Sequence, residues 1–432
     1  LLISMIRSVM NIATEKTLAT ATMVGSAFIT IFILWGSVTD PVNVTKLLGL
    51  GGLAGAVTAI LMVFGIKKIW SEYKLQLLVL ILFLLSMINS VVQSTAPTVQ
   101  LIYGIFGRNS GLITYVFLTL IFLASMLISL NESFLKIIYA LMFAGTINVL
   151  YAFWVTLFGD FVGWTNPYGN VLGTFGNPNF VGSFLGISVS IFFAYALRRE
   201  TTMPYRAIAL LLIVISWVEI RESSAIQGIV VGAGGMALVL FLYLRSRCQT
   251  IFIPLIYSLI VSGLGVVALL GALQKGPLSS LIYKNSVSLR GEYWQTAINM
   301  GREFPFSGVG MDTYGDWYRE LRDPTALINP GPETTTNAAH NVFLDQFAYG
   351  GWPMLITYLL LVVMVLISII KIFLRRKEYD FIFAGLSVAW ICYQIQSLIS
   401  INQIGLAIWG WILGGALIAY ERSGRQIEKD KV

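Results

Sequence analysis

Histidine, cysteine and charge are all scarce in this chain. His340 is the one histidine among 432 residues, and Cys248 and Cys392 are the two cysteines. A single imidazole excludes a His-rich metal centre. Two cysteines supply neither a disulfide framework nor zinc-ligand spacing. No metal and no cofactor are therefore expected. Charged residues make up 11% of the sequence, against roughly 25% in soluble domains. With 57% hydrophobic residues and a mean hydropathy of +0.79, the chain reads as an all-α, polytopic membrane protein. The net charge of +7 follows membrane topology in its distribution, so no nucleic-acid partner is expected. Residues 1 to 16 lack a hydrophobic run ending in a small-residue cleavage site, so no removable signal peptide is expected.

What is abundant is long apolar sequence. A span needs about 20 such residues, and about twelve are read here. Their cores are Leu18–Trp35, Leu47–Gly65, Leu75–Val92, Leu112–Leu130, Ile137–Phe158, Phe180–Leu197, Ala207–Ile220, Ile229–Leu244, Ile251–Leu270, Met354–Phe373, Phe381–Ile399 and Ile404–Tyr420. The seventh is short and the eighth is rich in glycine. The runs are too continuous for alternating barrel strands. Three parts follow: helices 1 to 9 over residues 1–273, a large loop over 274–340, and helices 10 to 12 with a tail over 341–432.

Basic residues give direction. One set of connections holds Arg7, Lys16, Lys67, Lys68, Lys74, Lys136, Arg198, Arg199, Arg206, Arg245, Arg247, Lys371, Arg375, Arg376, Lys377, Arg422, Arg425, Lys429 and Lys431. The alternate set holds fewer, and most of those lie in the long loop, Lys284 among them. Long loops count little toward orientation. Both termini are expected in the cytoplasm, with the large loop and His340 facing outward.

That loop mixes charges with Tyr283, Tyr293, Trp294, Phe304, Phe306, Tyr314, Trp317 and Tyr318. It is expected to fold into amphipathic helices, one over Arg290 to Gly301 with Arg290 opening it, ended by Pro305. His340 stands where the loop meets a span. An imidazole there suits proton exchange near neutral pH; the alternative is a group that caps a helix end. Arg290, Arg221, Arg108 and Arg302 offer planar forks suited to a diphosphate. The alternative for each is an interfacial arginine that snorkels or pairs with a carboxylate, as Arg221 with Glu222. Asn177-Pro178-Asn179 is turn chemistry opening a helix, with Asn179 as a cap.

These elements together resemble the O-antigen ligase / O-antigen polymerase superfamily. The signature is His then Asn, nine residues, then Gly: here His340-Asn341, Val342 to Gly350, then Gly351-Trp352-Pro353. Members often carry a small residue or tyrosine where this chain has Met354. Arg290-Gly291-Glu292-Tyr293-Trp294, followed by Pro305-Phe306-Ser307-Gly308-Val309-Gly310, is similar to the family's arginine, tryptophan and Pro-x-x-Gly-x-Gly pattern. Gly173-Thr174-Phe175-Gly176-Asn177-Pro178-Asn179 is similar to its mid-chain asparagine element. The resemblance implies a GT-C-like glycosyltransferase of the bacterial cytoplasmic (inner) membrane, with one large structured extracytoplasmic loop. Its donor would be an undecaprenyl-diphosphate-linked glycan and its acceptor a glycan or lipid A core, both met at the bilayer surface. It implies His340 as the base and Arg290 as a catalytic diphosphate binder. Arg221, Arg108, Arg302, Asn341, Asn177 and Asn179 complete the expected substrate-binding set. Near Arg221 members often have a Ser-Arg pair, where this chain has Arg221-Glu222-Ser223-Ser224. Ligase and polymerase share these features: an Arg and a Gly ten residues apart, frequent in polymerases, occur at Arg290 and Gly301 and at Arg221 and Gly232. The reading from another class is a small-solute transporter. Against it, the sequence shows no clear inverted repeat and no acidic residue deep in a span.

Overall fold

The computed structural model describes residues 2–34, 40–283, 285–328 and 330–429. Trp35, Lys284 and Lys431, used above, lie outside them. No strand occurs among the described residues. The first half of the chain forms α1 (Leu2–Ile31), α2 (Asn43–Ile60), α3 (Ile66–Glu72), α4 (Lys74–Gln93), α5 (Thr98–Tyr103), α6 (Leu112–Ser125), α7 (Asn131–Phe158) and α8 (Pro178–Leu197). The second half forms α9 (Met203–Glu222), α10 (Ile226–Arg247), α11 (Phe252–Ala272), α12 (Ser279–Ile282), α13 (Asn285–Glu303), α14 (Tyr314–Leu321), α15 (Val342–Arg375), α16 (Phe381–Ser397) and α17 (Ile404–Lys429).

Nine helices among the described residues are long and apolar enough to cross a bilayer: α2 continued through a π turn (Leu61–Gly65) into α3, then α4, α7, α8, α9, α10, α11, α15 and α17. α6 and α16 are apolar but shorter. Helices are what the sequence allows here, because lipid offers backbone groups no partner and a helix satisfies them within the segment. The seventh expected core, short on hydropathy alone, extends by polar turns at both ends to the 20 residues of α9.

Glycine explains why the eighth segment is helical despite its composition. A Cβ on Gly228 would stand 2.6 Å from the Gly182 carbonyl oxygen, and one on Gly186 would stand 2.7 Å from that of Gly228. Small residues let α8 and α10 touch backbone to backbone, which is how helices gain packing in a solvent as apolar as themselves. α8 and α17 form the centre: 83% of the most apolar stretch of α8 is buried, and all of that of α17. α11, at 6%, stands at the periphery.

Polar contacts sort the loops to two ends. At one end Arg375 and Arg425 hold Glu421, Arg422 holds Glu72, Lys16 holds Glu132, and Arg245 donates to the Arg376 carbonyl. At the other, Asn43 donates to the Gly107 carbonyl, Gln403 to Asn43, and Asn170 to the Glu222 carbonyl. The loops richest in basic residues thus share one end. Glu219 of α9 is fully buried. It accepts from Thr156 at 2.7 Å, and its other oxygen has no hydrogen-bond partner. It sits about one turn from the helix end.

Candidate functional site

The site is built on a broken helix. Gly351 interrupts α15 with φ +63°, and Pro353 follows. Proline has no N–H, so the Tyr349 carbonyl loses its helical donor. The Trp352 N–H turns away to the Pro305 carbonyl at 2.8 Å, which frees the Ala348 carbonyl as well. The loop repairs both losses. Val309 N–H donates to Ala348 O at 2.8 Å and Gly310 N–H to Tyr349 O at 3.2 Å, joined there by the Ser90 hydroxyl at 2.5 Å. Gly308 must be glycine for this: a Cβ would fall 2.2 Å from the Tyr349 carbonyl carbon. The Pro-x-x-Gly-x-Gly turn and the Gly-Gly-Trp-Pro run are one structural unit, each supplying what the other lacks. Gly301 lets α13 approach α15 closely as well: a Cβ there would fall 2.4 Å from a Phe347 ring carbon.

This packing sets α13 beside the start of α15. α13 begins at Asn285, five residues before the expected start, so Arg290 lies in its second turn rather than opening it. Tyr293 presents its ring to the His340 imidazole, stacked at 5.6 Å between centroids and 30° between planes. His340 adopts φ +55° and is half-buried. It does not cap the helix; Asn341 does, its side-chain oxygen accepting from Phe343 and Leu344 N–H. No protein group among the described residues hydrogen-bonds the His340 ring. Burial first, then the positive charges of Arg290 and Arg108, hold its proton affinity down to about 4. The ring is therefore neutral at physiological pH.

Arg290 forms no ion pair among the described residues, and its Nε is buried without a partner. Burial lowers its proton affinity and Tyr293 opposes that, but a guanidinium stays charged in proteins. Arg108 differs. Fully buried, it pairs with Asp312, donates to the Tyr349 hydroxyl, and donates to the Asn337 carbonyl at 2.6 Å and the Ser110 hydroxyl at 3.0 Å. Its fork ties the 104–111 loop to the outer loop and to α15, while its charge reaches His340.

Asp312, absent from the sequence reading, is the hub of that tie. It also accepts from Ile105 N–H at 2.8 Å and from the Ser110 hydroxyl at 3.1 Å. Its partners lie about 200 positions away along the chain, so no local pattern could have found it. Asp312→Ala is expected to cost about 3–5 kcal/mol of stability, since it strands a buried charge. Thermal unfolding in detergent checks this; an unchanged midpoint would show that the pair carries no weight.

The remaining candidates are dispersed. Arg221 is exposed at the end of α9 and makes no ion pair with Glu222. Arg302 is exposed in the last turn of α13, twelve residues and so roughly 18 Å along the axis from Arg290. Asn177, not Asn179, caps α8: its side-chain oxygen accepts from Asn179 N–H. Pro178 fits the first helical position, where its missing N–H is not needed, and this moves the cap one residue before it. Asn177 also donates to the Tyr168 hydroxyl at 3.2 Å. The Asn179 carbonyl accepts from Gln227 and from Ser183. Among the described residues, no group of three or more His, Cys, Asp or Glu side chains is arranged to hold a metal ion.

Residues 208–359 match the family model Wzy_C, described as O-antigen ligase. The matched stretch includes Arg221, Arg290, Arg302, His340 and Asn341, and leaves out Arg108, Asn177 and Asn179. No curated protein matches the chain. The O-antigen ligase domain supports an enzymatic, glycosyltransferase-like role.

Proposed function

We propose that this chain moves a glycan from an undecaprenyl-diphosphate donor to an acceptor sugar hydroxyl on the outer face of the cytoplasmic membrane, as an O-antigen ligase does. In this reading α1, α6 and α16 span the bilayer with the nine more apolar helices. That makes about twelve spans, with both termini cytoplasmic and α12 to α14 lying outside. The observation that carries the reading is the pairing of a neutral, unbonded imidazole with an arginine whose Nε lacks a partner.

His340 accepts the proton of the acceptor hydroxyl as its oxygen attacks the anomeric carbon. The bond from that carbon to the diphosphate breaks, and the electron pair leaves with undecaprenyl diphosphate. Arg290 meets the growing negative charge. A single displacement inverts the anomeric centre. No metal takes part. Arg221 and Arg302, exposed and without ion pairs among the described residues, are placed to meet the diphosphate or acidic sugars. Arg108 and Asn341 serve by holding the backbone on either side of His340, and Asn177 and Asn179 by fixing the start of α8.

Purified protein incubated with lipid-linked glycan and candidate acceptors tests this. Release of undecaprenyl diphosphate with mass gain on the acceptor, undiminished in EDTA, is expected. Gain on lipid A core identifies a ligase; a lengthened lipid-linked chain identifies a polymerase. Glu219, buried near one end of α9, is a carboxyl group that the transporter alternative could use. Uphill flux of a small solute in proteoliposomes, with no diphosphate released, would replace the enzyme reading.

A further inference from the structure

His340 sits in a left-handed backbone conformation, φ +55°, which costs a residue other than glycine on the order of 1 kcal/mol or more. Such strain persists only where the neighbours over-determine it. The chain around His340 shows how. Asn341 fixes the following residues by capping α15, at 3.0 and 3.2 Å to Phe343 and Leu344 N–H. Upstream, Arg108 grips the Asn337 carbonyl at 2.6 Å. Between these, Asp345 reaches back from the first turn of α15. Its Oδ1 accepts from the Ala339 N–H at 2.8 Å, while its own N–H donates to the Asn341 carbonyl at 2.8 Å. Residues 339 to 345 thus close into a small ring with His340 at its bend.

Asp345 is 3% exposed and Ala339 fully buried. Asp345 forms no ion pair among the described residues. Burying a carboxyl group without an ion partner is unfavourable, so the group must do something that an apolar side chain cannot. Among the described residues its side chain makes one hydrogen bond, to the N–H of Ala339, the residue before His340.

We propose that Asp345 is a positioning residue for His340: by holding the Ala339 N–H it fixes the Ala338–Ala339 peptide, closes the ring from 339 to 345, and so sets the direction in which the imidazole leaves the backbone, onto Tyr293 and beside Arg290. The inference rests on the reading of His340 as the base. Without the acceptor oxygen the bend relaxes, the ring loses its stacking on Tyr293, and the reacting atoms are misaligned. A displacement of about 1 Å in such a group lowers turnover by roughly 100-fold.

The chain's single histidine makes the test unambiguous. Protein labelled with [15N]histidine and purified without a histidine tag gives the Nδ1 and Nε2 signals of one imidazole. Asp345→Leu and Asp345→Ala remove the acceptor; Asp345→Asn keeps one. Leu and Ala are expected to shift the imidazole signal and lower kcat about 100-fold, with donor KM within about threefold of wild type. Asn is expected to keep the signal in place and lose less than about tenfold. A wild-type signal and kcat in Leu or Ala overturns the proposal. So does a lowered kcat with an unmoved signal, or an Asn variant that behaves like Leu. Should Leu and Ala fail to fold, the Asn signal alone decides. If His340→Ala keeps transfer activity, the base reading fails, while the signal still reports whether Asp345 positions the ring.

Discussion

Replacing His340 with alanine is expected to lower glycan transfer by roughly 10²–10⁴-fold, the usual contribution of a positioned general base. No second imidazole exists to take over. The acid limb of the pH profile reports the same group. Buried, and under the charges of Arg290 and Arg108, the imidazole takes up a proton only near pH 4. The neutral ring is the reactive form, so kcat/KM is expected to hold from neutrality down to about pH 4 and to fall below it. That ratio reports the free enzyme. A bound diphosphate offsets the arginine charges and raises the ring's proton affinity, so the limb in kcat is expected at higher pH. A limb near 6.5 in kcat/KM would mean the ring is freely solvated. Stability has the same sign. The unfolded chain takes up this proton first, near 6.5, so the contribution is present above that pH and lost as pH falls toward 4. Wild-type transfer by a correctly folded His340→Ala protein would remove the base assignment.

Arg290→Ala is expected to lower kcat by roughly 10²–10³-fold, the scale for removing one preorganised donor from a developing negative charge. Its guanidinium has no carboxylate partner among the described residues and its Nε is unpaired, so the loss falls on the substrate rather than on the fold. Unfolding midpoints should therefore stay near wild type, unlike those of Asp312→Ala. Arg290→Lys keeps the charge but not the planar fork, and is expected to recover only part of the activity. Steady-state kinetics with the lipid-linked donor measures both. Unchanged kcat in Arg290→Ala would place the diphosphate elsewhere, with Arg221 the next candidate.

Much of the fold was legible because hydropathy acts over whole segments. Each expected span core coincides in its described part mainly with helix, α10 included, because its glycines meet those of α8 instead of weakening the rod. The helical loop segment followed from local chemistry, whereas the cap of α15 is Asn341 rather than His340. The site was legible in its residues but not in its wiring. Arg290 and His340 carry motif signals; Arg108 and Asp312 find each other across about 200 positions, and nothing near either announces the other. Arg108 therefore read as a free phosphate binder when its fork is taken up internally. Asp345 carries no motif signal, since an acidic residue in the first turn of a helix is ordinary in the field of the helix dipole. Glu219 was missed because its burial depends on how α9 lies against α7.

The repaired break in α15 has a bearing on engineering. Two carbonyls of the membrane helix rely on N–H groups from a stretch some forty residues upstream. Exchanging the outer segment between homologues, or trimming it to make a smaller protein, would leave those oxygens without donors in a low-dielectric setting. Any viable chimera must carry residues 305–310 and 348–353 from the same parent, so specificity cannot be transplanted by swapping the loop alone.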